Sequence, residues 1–291
     1  MILRATVLAC AVLAAAAGCA GDNTGGSDPE LVPSSFKEIV LAELKQADLE
    51  SEPGYDMNVR AFQGPDRVEL PIGEAFDEYE ADPDRRDEIV AGVVAEAQRR
   101  LDEGIGDVSY EEAKGDLMPL LQPAFAVRGW DFEPAATDAP GNLSVLYVVD
   151  TGDSRIVVRP EDVERWGVPL EEVNEVALDN LEQQTDDEEP LLCEPSGNWE
   201  LCGWSTSDGY DATRMIVPGL RRQIVQEYDG AQAVYAVPMD NVFVALPRQA
   251  IEQGNSEELL RTKVARDFQT SDNPVSPELF VERDGELVLL K

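Results

Sequence analysis

Apolar positions along this chain fall into two rhythms, a helical one of three to four residues and a strand-like alternation, and their succession sets out the elements. Ser35-Phe-Lys-Glu38 is a capping box, and it opens a helix with Phe36, Ile39, Val40 and Leu44 on one face. Two alternating segments, Met57 to Phe62 and Val68 to Ile72, are split by Gln63-Gly-Pro-Asp66 and predict a hairpin. A long helix follows near Arg85 to Leu101, with Ile89, Val90, Val93, Val94 and Ala97 as its buried stripe. Residues 104–141 are rich in Gly, Pro and acidic residues, and Met118-Pro-Leu-Leu-Gln-Pro123 reads there as an irregular apolar insertion. The boundary between two α+β units, 35–135 and 140–291, is expected in this stretch.

The second unit begins with Leu143 to Val149, turns at Asp150-Thr-Gly-Asp153 and returns along Arg155 to Val158. Pro160 opens a short helix ending at Trp166-Gly167, and Pro169 starts another whose stripe is Leu170, Val173, Val176, Ala177 and Leu181. A third hairpin reads as Ala233 to Pro238 and Val242 to Leu246, then a helix from Ser256 to Phe268, then a last hairpin around Asp284-Gly285. The order hairpin, helix, helix thus recurs from near Met57, Leu143 and Ala233, with Pro71, Pro160 and Pro247 at the hairpin exits. Side-chain identity between these units is slight, and the order is also the common grammar of α+β proteins. The predicted fold class is α+β, built from repeated hairpin-plus-helix units.

The first residues follow neither rhythm. Arg4 precedes an apolar run from Ala5 to Ala17, about 13 residues and within the range of a secretory signal. It is shorter than the roughly 20 residues a membrane-spanning helix needs. Ala16-Ala17-Gly18-Cys19 resembles the lipobox of bacterial lipoproteins, although Ala16 stands where that motif has leucine. The resemblance implies removal of residues 1–18 and a lipid on Cys19. Two or more acyl chains hold a protein stably at a bilayer where one does not. Residues 19–34 have almost nothing to bury and are expected to form a flexible tether of about 20 Å in root-mean-square reach. These features predict a body hung from the extracytoplasmic side of a membrane.

Composition narrows the chemistry. The 291 residues carry a net charge of −36, from 59 acidic against 23 basic side chains. Such a field repels nucleic acid, whose binding rests on Lys and Arg neutralising phosphates, so no nucleic-acid partner is expected. There is no histidine, which removes Ser-His-Asp and Cys-His mechanisms and histidine-containing zinc sites. No calcium loop, cofactor loop or nucleophile motif is present, so no metal, cofactor or catalytic residue is assigned. The acidic run Asp186-Asp-Glu-Glu189 reads as a solvated loop after a helix.

Beyond the signal segment and Cys19, the cysteines are Cys193 and Cys202, and they bracket a Gly197-Asn198 turn signal. Centring a hairpin there sets Ser196 opposite Trp199, Pro195 opposite Glu200, Glu194 opposite Leu201 and Cys193 opposite Cys202. The cysteines then fall at a non-hydrogen-bonded site with α-carbons about 4.5 Å apart, and a structural disulfide is expected. A ring of this size contributes roughly 2.7 kcal/mol by loop entropy.

Asp208, Tyr210, Asp211 and Arg214 gather at a turn that reads as the start of a helix, with Asp211 as its N-cap. One reading is a small polar site in which Arg214 offers a fork to a carboxylate or phosphate. The other is a helix cap, with Arg214 paired to Asp211 or Asp208 and Tyr210 packed on the core. Trp199 and Trp204 flank the cysteine hairpin and form either an aromatic contact surface or part of the core.

Taken in order, Val148-Val-Asp150, Trp166-Gly167, Val176-Ala-Leu-Asp-Asn-Leu181, Asp208-Gly-Tyr-Asp-Ala-Thr-Arg214, Ala236-Val-Pro238, Val242 to Ala245 and Pro277-Glu-Leu-Phe280 give the chain a resemblance to the YtpQ family. The resemblance runs from about Phe36 to Leu290 and implies an α+β fold. That family is a bacterial domain without an established reaction, so it brings no catalytic residue or ligand to this chain. The lipobox, the tether and the cysteine hairpin are departures from it. A non-enzymatic binding or adaptor module of the cell envelope is therefore expected, held by a lipid anchor and facing an envelope protein. The alternative is a small-ligand receptor or enzyme built on Asp208 to Arg214.

Overall fold

Two antiparallel sheets carry the helices, the α+β class that the alternation of rhythms predicts. The computed structural model describes residues 33–54, 56–130, 132–188, 190–196, 199–206, 208–253 and 256–291, and from residue 33 onward the chain forms one compact unit. The expected signal segment, Cys19, the turn Gly197-Asn198 and all of the expected tether except Pro33 and Ser34 lie outside the described residues.

The first helix, α1 (Pro33–Gln46), starts ahead of the expected capping box, with a proline in the first turn, where a missing N–H costs nothing. Its Phe36, Val40 and Leu44 are fully buried. The strands that follow are β1 (Glu50–Pro53), β2 (Asn58–Gln63) and β3 (Asp66–Pro71), the last two being the expected hairpin. Helix α2 (Gly73–Ala81) has only Phe76 and Tyr79 as a buried stripe, one turn apart, too short to stand out in the sequence. Both rings lie 5.5 Å from Phe36. Helix α3 (Arg86–Glu103) buries Ile89, Val90, Ala97 and Leu101, and α4 (Tyr110–Ala113) is a single turn.

The segment expected as an irregular insertion is a strand, β4 (Leu117–Pro123), buried along most of its length. It is followed by α5 (Ala124–Val127), β5 (Ala136–Ala139), β6 (Leu143–Asp150) and β7 (Ser154–Val157). The sheet order is β1-β2-β3-β7-β6-β4, with β5 also paired to β6. The prolines of β4 explain both the misreading and the structure. Pro119, Leu121 and Pro123 share one parity, and the Leu121 N–H points away from β6 to donate to Thr213 Oγ1 at 3.0 Å. The prolines therefore lack only outward-facing N–H groups on an edge strand, where the ladder loses nothing.

Strand β7 pairs with β3, Arg67 lying opposite Arg155 and Val68 opposite Ser154. The first sheet thus draws strands from both sides of the expected 135/140 boundary, and the chain passes to the second sheet through α6 (Pro160–Trp166) and α7 (Leu170–Glu188). Gly167 closes α6 in the left-handed conformation, and α7 buries Val173, Ala177 and Leu181 completely.

The second sheet comprises β8 (Leu192–Ser196), β9 (Trp199–Trp204), β10 (Ala233–Ala236), β11 (Phe243–Pro247), β12 (Leu279–Arg283) and β13 (Glu286–Leu289), in the order β13-β12-β10-β11-β9-β8. The remaining helices are α8 (Pro218–Glu227), α9 (Arg248–Ile251) and α10 (Ser256–Thr270). Hairpin, helix, helix does occur three times: β2-β3-α2-α3, β6-β7-α6-α7 and β10-β11-α9-α10. Strand β9 approaches β11 so closely that a Cβ on Gly203 would lie 2.0 Å from the Phe243 carbonyl oxygen, so only glycine fits there. Among the described residues no helix is long and apolar enough to cross a membrane.

Candidate functional site

The segment Asp208 to Arg214 runs between β9 and α8 and is tied to both sheets. Thr213 takes the outward N–H of Leu121 on the first sheet, and the Ala212 N–H donates to Asp240 O, in the turn between β10 and β11, at 3.0 Å. The expected helix is only a 3-10 turn, Thr213–Ile216. Asp211 does not cap it. Its carboxylate instead accepts the Thr206 N–H, at 3.1 Å to each oxygen. The chain reverses at Gly209, whose φ of +84° suits glycine, and a Cβ there would sit 3.3 Å from the Arg155 guanidinium.

Arg214 is among the largest side chains to be fully buried. Its Nη2 donates to Asp208 Oδ2 at 2.6 Å, Nη1 to Asp208 Oδ1 at 3.1 Å and Asp211 Oδ1 at 3.2 Å, and Nε to Thr185 Oγ1 at 3.0 Å on α7. Thr206 Oγ1 donates to Asp208 Oδ1 at 2.7 Å. Every guanidinium nitrogen is engaged, so Arg214 joins α7 and the β9–α8 loop and has none left over for a ligand. The pairing with both Asp208 and Asp211 and the core position of Tyr210 are those of the structural reading of this motif. Burial opposes ionisation of Asp208, but Arg214, Thr206 and the Tyr210 N–H hold its carboxyl below the usual range. At Asp211 burial prevails and raises it.

A second polar cluster lies against the first, and the sequence reading missed it. Tyr210, 3% exposed, donates its hydroxyl to Asp150 Oδ2 at 2.6 Å. Arg155 Nε reaches the same oxygen at 3.0 Å, its Nη2 donates to Asp208 O at 3.0 Å, and its guanidinium lies 4.6 Å from the Tyr210 ring centre. Arg67 Nη2 donates to Asp150 Oδ1 at 3.3 Å. Arg67 and Arg155 face each other across β3 and β7, a destabilising pair of like charges, and Asp150, bonded to both, offsets part of the repulsion. Burial works against its charge, yet Arg155 and the Tyr210 hydroxyl hold the Asp150 carboxyl below the usual range. The sequence held a trace of this cluster, Val148-Val-Asp150, but the partners depend on a β3–β7 pairing that no local pattern announces.

The β8–β9 hairpin has the expected register throughout, with Cys193 opposite Cys202, disulfide-bonded, α-carbons 4.1 Å apart. The two tryptophans do not form one surface. Strand alternation puts Trp204 on the face of Cys202, 3% exposed and stacked on Phe243 at 5.7 Å, and Trp199 on the opposite face. Trp199 is half-buried on the wall of an open cavity of 680 Å³ shared with Glu200, Glu227, Tyr228 and Asp229. Among the described residues no group of three His, Cys, Asp or Glu is placed to hold a metal ion.

In comparison with known proteins, the chain is similar to bacterial proteins named UPF0354. One from Listeria monocytogenes serovar 1/2a is 25% identical over 255 residues, 87% of this chain and 92% of the relative. A second, from Listeria welshimeri, is 22% identical over the same shares of both chains. A third, from Halalkalibacterium halodurans, is 26% identical over 143 residues, 49% of this chain and 51% of its own. These names assign no reaction, ligand or partner. No family model matches the chain. No solved structure matches it either.

Proposed function

We propose that this protein is an exported, YtpQ-like lipoprotein that works as a non-enzymatic binding or adaptor module of the cell envelope. In this reading residues 1–18 are a signal peptide, Cys19 carries the lipid, and residues 19–34 tether the body to the extracytoplasmic face of a membrane. The apolar run ending at Gly18-Cys19 supports export, and the Cys193–Cys202 disulfide fits an oxidising compartment.

The observation that carries the adaptor reading is the contrast within residues 199–214. Arg214 and its acidic partners are spent on one another, whereas Trp199 lines an open cavity rimmed by Glu200, Glu227 and Asp229. An aromatic wall with carboxylates around it suits a basic segment of a partner protein. The alternative, a receptor or enzyme centred on Arg214, finds no unoccupied guanidinium nitrogen to work with.

The test places a photo-crosslinking residue at the exposed Gln249, on the same cavity, in cells making the full-length protein. A discrete protein adduct that disappears with Trp199→Ala is the expected result. No adduct, or one indifferent to Trp199→Ala, would overturn the adaptor reading. Cys19→Ala should release the protein from membranes, and a variant that stays membrane-bound would remove the lipid anchor from the account.

A further inference from the structure

Among the described residues Arg221, on α8, is a second deeply buried arginine, with its side chain 4% exposed. Its Nε donates to Glu282 Oε2 at 2.7 Å and its Nη1 to Met215 O at 2.9 Å. Among the described residues its Nη2 makes no hydrogen bond, and the side chain lines a cavity of 370 Å³ walled by β5, β6, α7 and β13. This Nη2 keeps contact with solvent-accessible space, so its N–H groups are free to donate to an acceptor that enters.

Asn174, on α7, lines the same cavity and is oriented from behind. The single proton of the Tyr147 hydroxyl goes to Asn174 Oδ1 at 3.0 Å, so in the 2.8 Å contact between Tyr147 and Thr137 the threonine is the donor. The amide is set with Oδ1 toward Tyr147, and Nδ2, on its other side, makes no hydrogen bond among the described residues. Two sets of N–H donors, one of them charged, therefore belong to one cavity. Val145, Leu178, Ile216 and Leu287 give the wall an apolar stretch, beside Thr137, Ala139 and Pro140. Asp138 and Glu286 stand on its exposed rim and, with the net charge of −36, disfavour a multiply charged anion.

We propose that this cavity binds a small aliphatic carboxylate, its head on Arg221 Nη2 and Asn174 Nδ2 and its chain against Val145, Leu178, Ile216 and Leu287. A free acid and the C-terminus of a peptide present the same group. The purified full-length chain is therefore titrated with octanoate, with octanol, and with a short peptide ending in a free leucine carboxylate, by calorimetry and by methyl shifts of the cavity residues.

Saturable binding of octanoate or the peptide is expected, with octanol about tenfold weaker or worse because it lacks the charge. Arg221→Gln should weaken binding by a similar factor. Because that variant also releases Glu282 and the Met215 carbonyl, Leu178→Trp provides an independent check: it fills the cavity and leaves the Arg221–Glu282 pair in place. Binding by neither probe, octanol binding as tightly as octanoate, or binding unchanged in a folded Leu178→Trp protein would each overturn the proposal. Binding of the peptide alone would make the source a chain terminus, and binding of octanoate would make it a free acid.

Discussion

Arg214 and Arg221 are both closed into the same fold, yet Arg214 is surrounded by acceptors while Arg221 is left with one nitrogen to spare. Arg214 is met by two carboxylates and two threonines drawn from α7 and from its own loop. Arg221 is met by one carboxylate, itself 34% exposed, and one carbonyl, and its remaining edge faces a cavity. Burial alone therefore does not separate a structural charge from an available one. The count of donors against acceptors does, because only a nitrogen without a protein acceptor is free to donate to a ligand.

The largest effect expected from breaking this comparison is Arg214→Leu. It leaves Asp211 buried and unpaired beside Asp208 and should cost about 3–5 kcal/mol of stability in urea denaturation at neutral pH. A loss below that of Arg221→Gln would mean the clasp is not the tighter of the two.

The next prediction uses a buried carboxylate with no guanidinium bonded to it. Asp66, 1% exposed, accepts the Val157 N–H at 2.7 Å, and burial pushes its carboxyl up to about 6. A carboxyl raised on folding keeps its proton in the native state while the unfolded chain has already lost it. Its contribution therefore falls as pH rises from about 4 to about 6 and is flat above. Asp66→Asn keeps the Val157 acceptor and removes the titration. It should gain on the wild type by up to about 3 kcal/mol between pH 4 and pH 7. A pH-independent difference between the two proteins would contradict the assignment. Asp208 and Asp150 have the opposite sign: their depressed carboxyls add stability above the ordinary carboxylate range and lose it as pH falls through their lowered values.

Smaller effects sharpen the contrast. Arg221→Gln should cost about 1–2 kcal/mol, since Glu282 can turn to water when its partner goes. Trp199→Ala should change stability by about 1 kcal/mol or less, being confined to a half-exposed wall, while abolishing the expected adduct. If Trp199→Ala unfolded the protein instead, the cavity it lines would be part of the core.

How far the molecule was legible depends on the range of the interaction. The β8–β9 register, with Cys193 opposite Cys202, followed from a turn signal and a period of two, both local. The separation of Trp199 from Trp204 onto opposite faces was equally available from that period. The β4 strand was hidden because Pro119 and Pro123 argue against a strand until the edge they occupy is known. The Asp208–Arg214 pairing lies within one short loop and could be read, whereas the contribution of Thr185 from α7 could not.

By itself, the sequence determined the class of the fold, the three hairpin-helix-helix units, the disulfide register and the acidic, histidine-free chemistry. All of these rest on composition or on spacing within a few residues. Only the tertiary structure decided that β3 pairs with β7, that Asp150 joins Arg67, Arg155 and Tyr210, and that every nitrogen of Arg214 has an acceptor while Arg221 lines a cavity with one nitrogen unpartnered. A buried charge is defined by every group that closes around it. Those groups come from segments far apart in the chain, brought together by the burial of both sheets rather than by any pattern in their own residues.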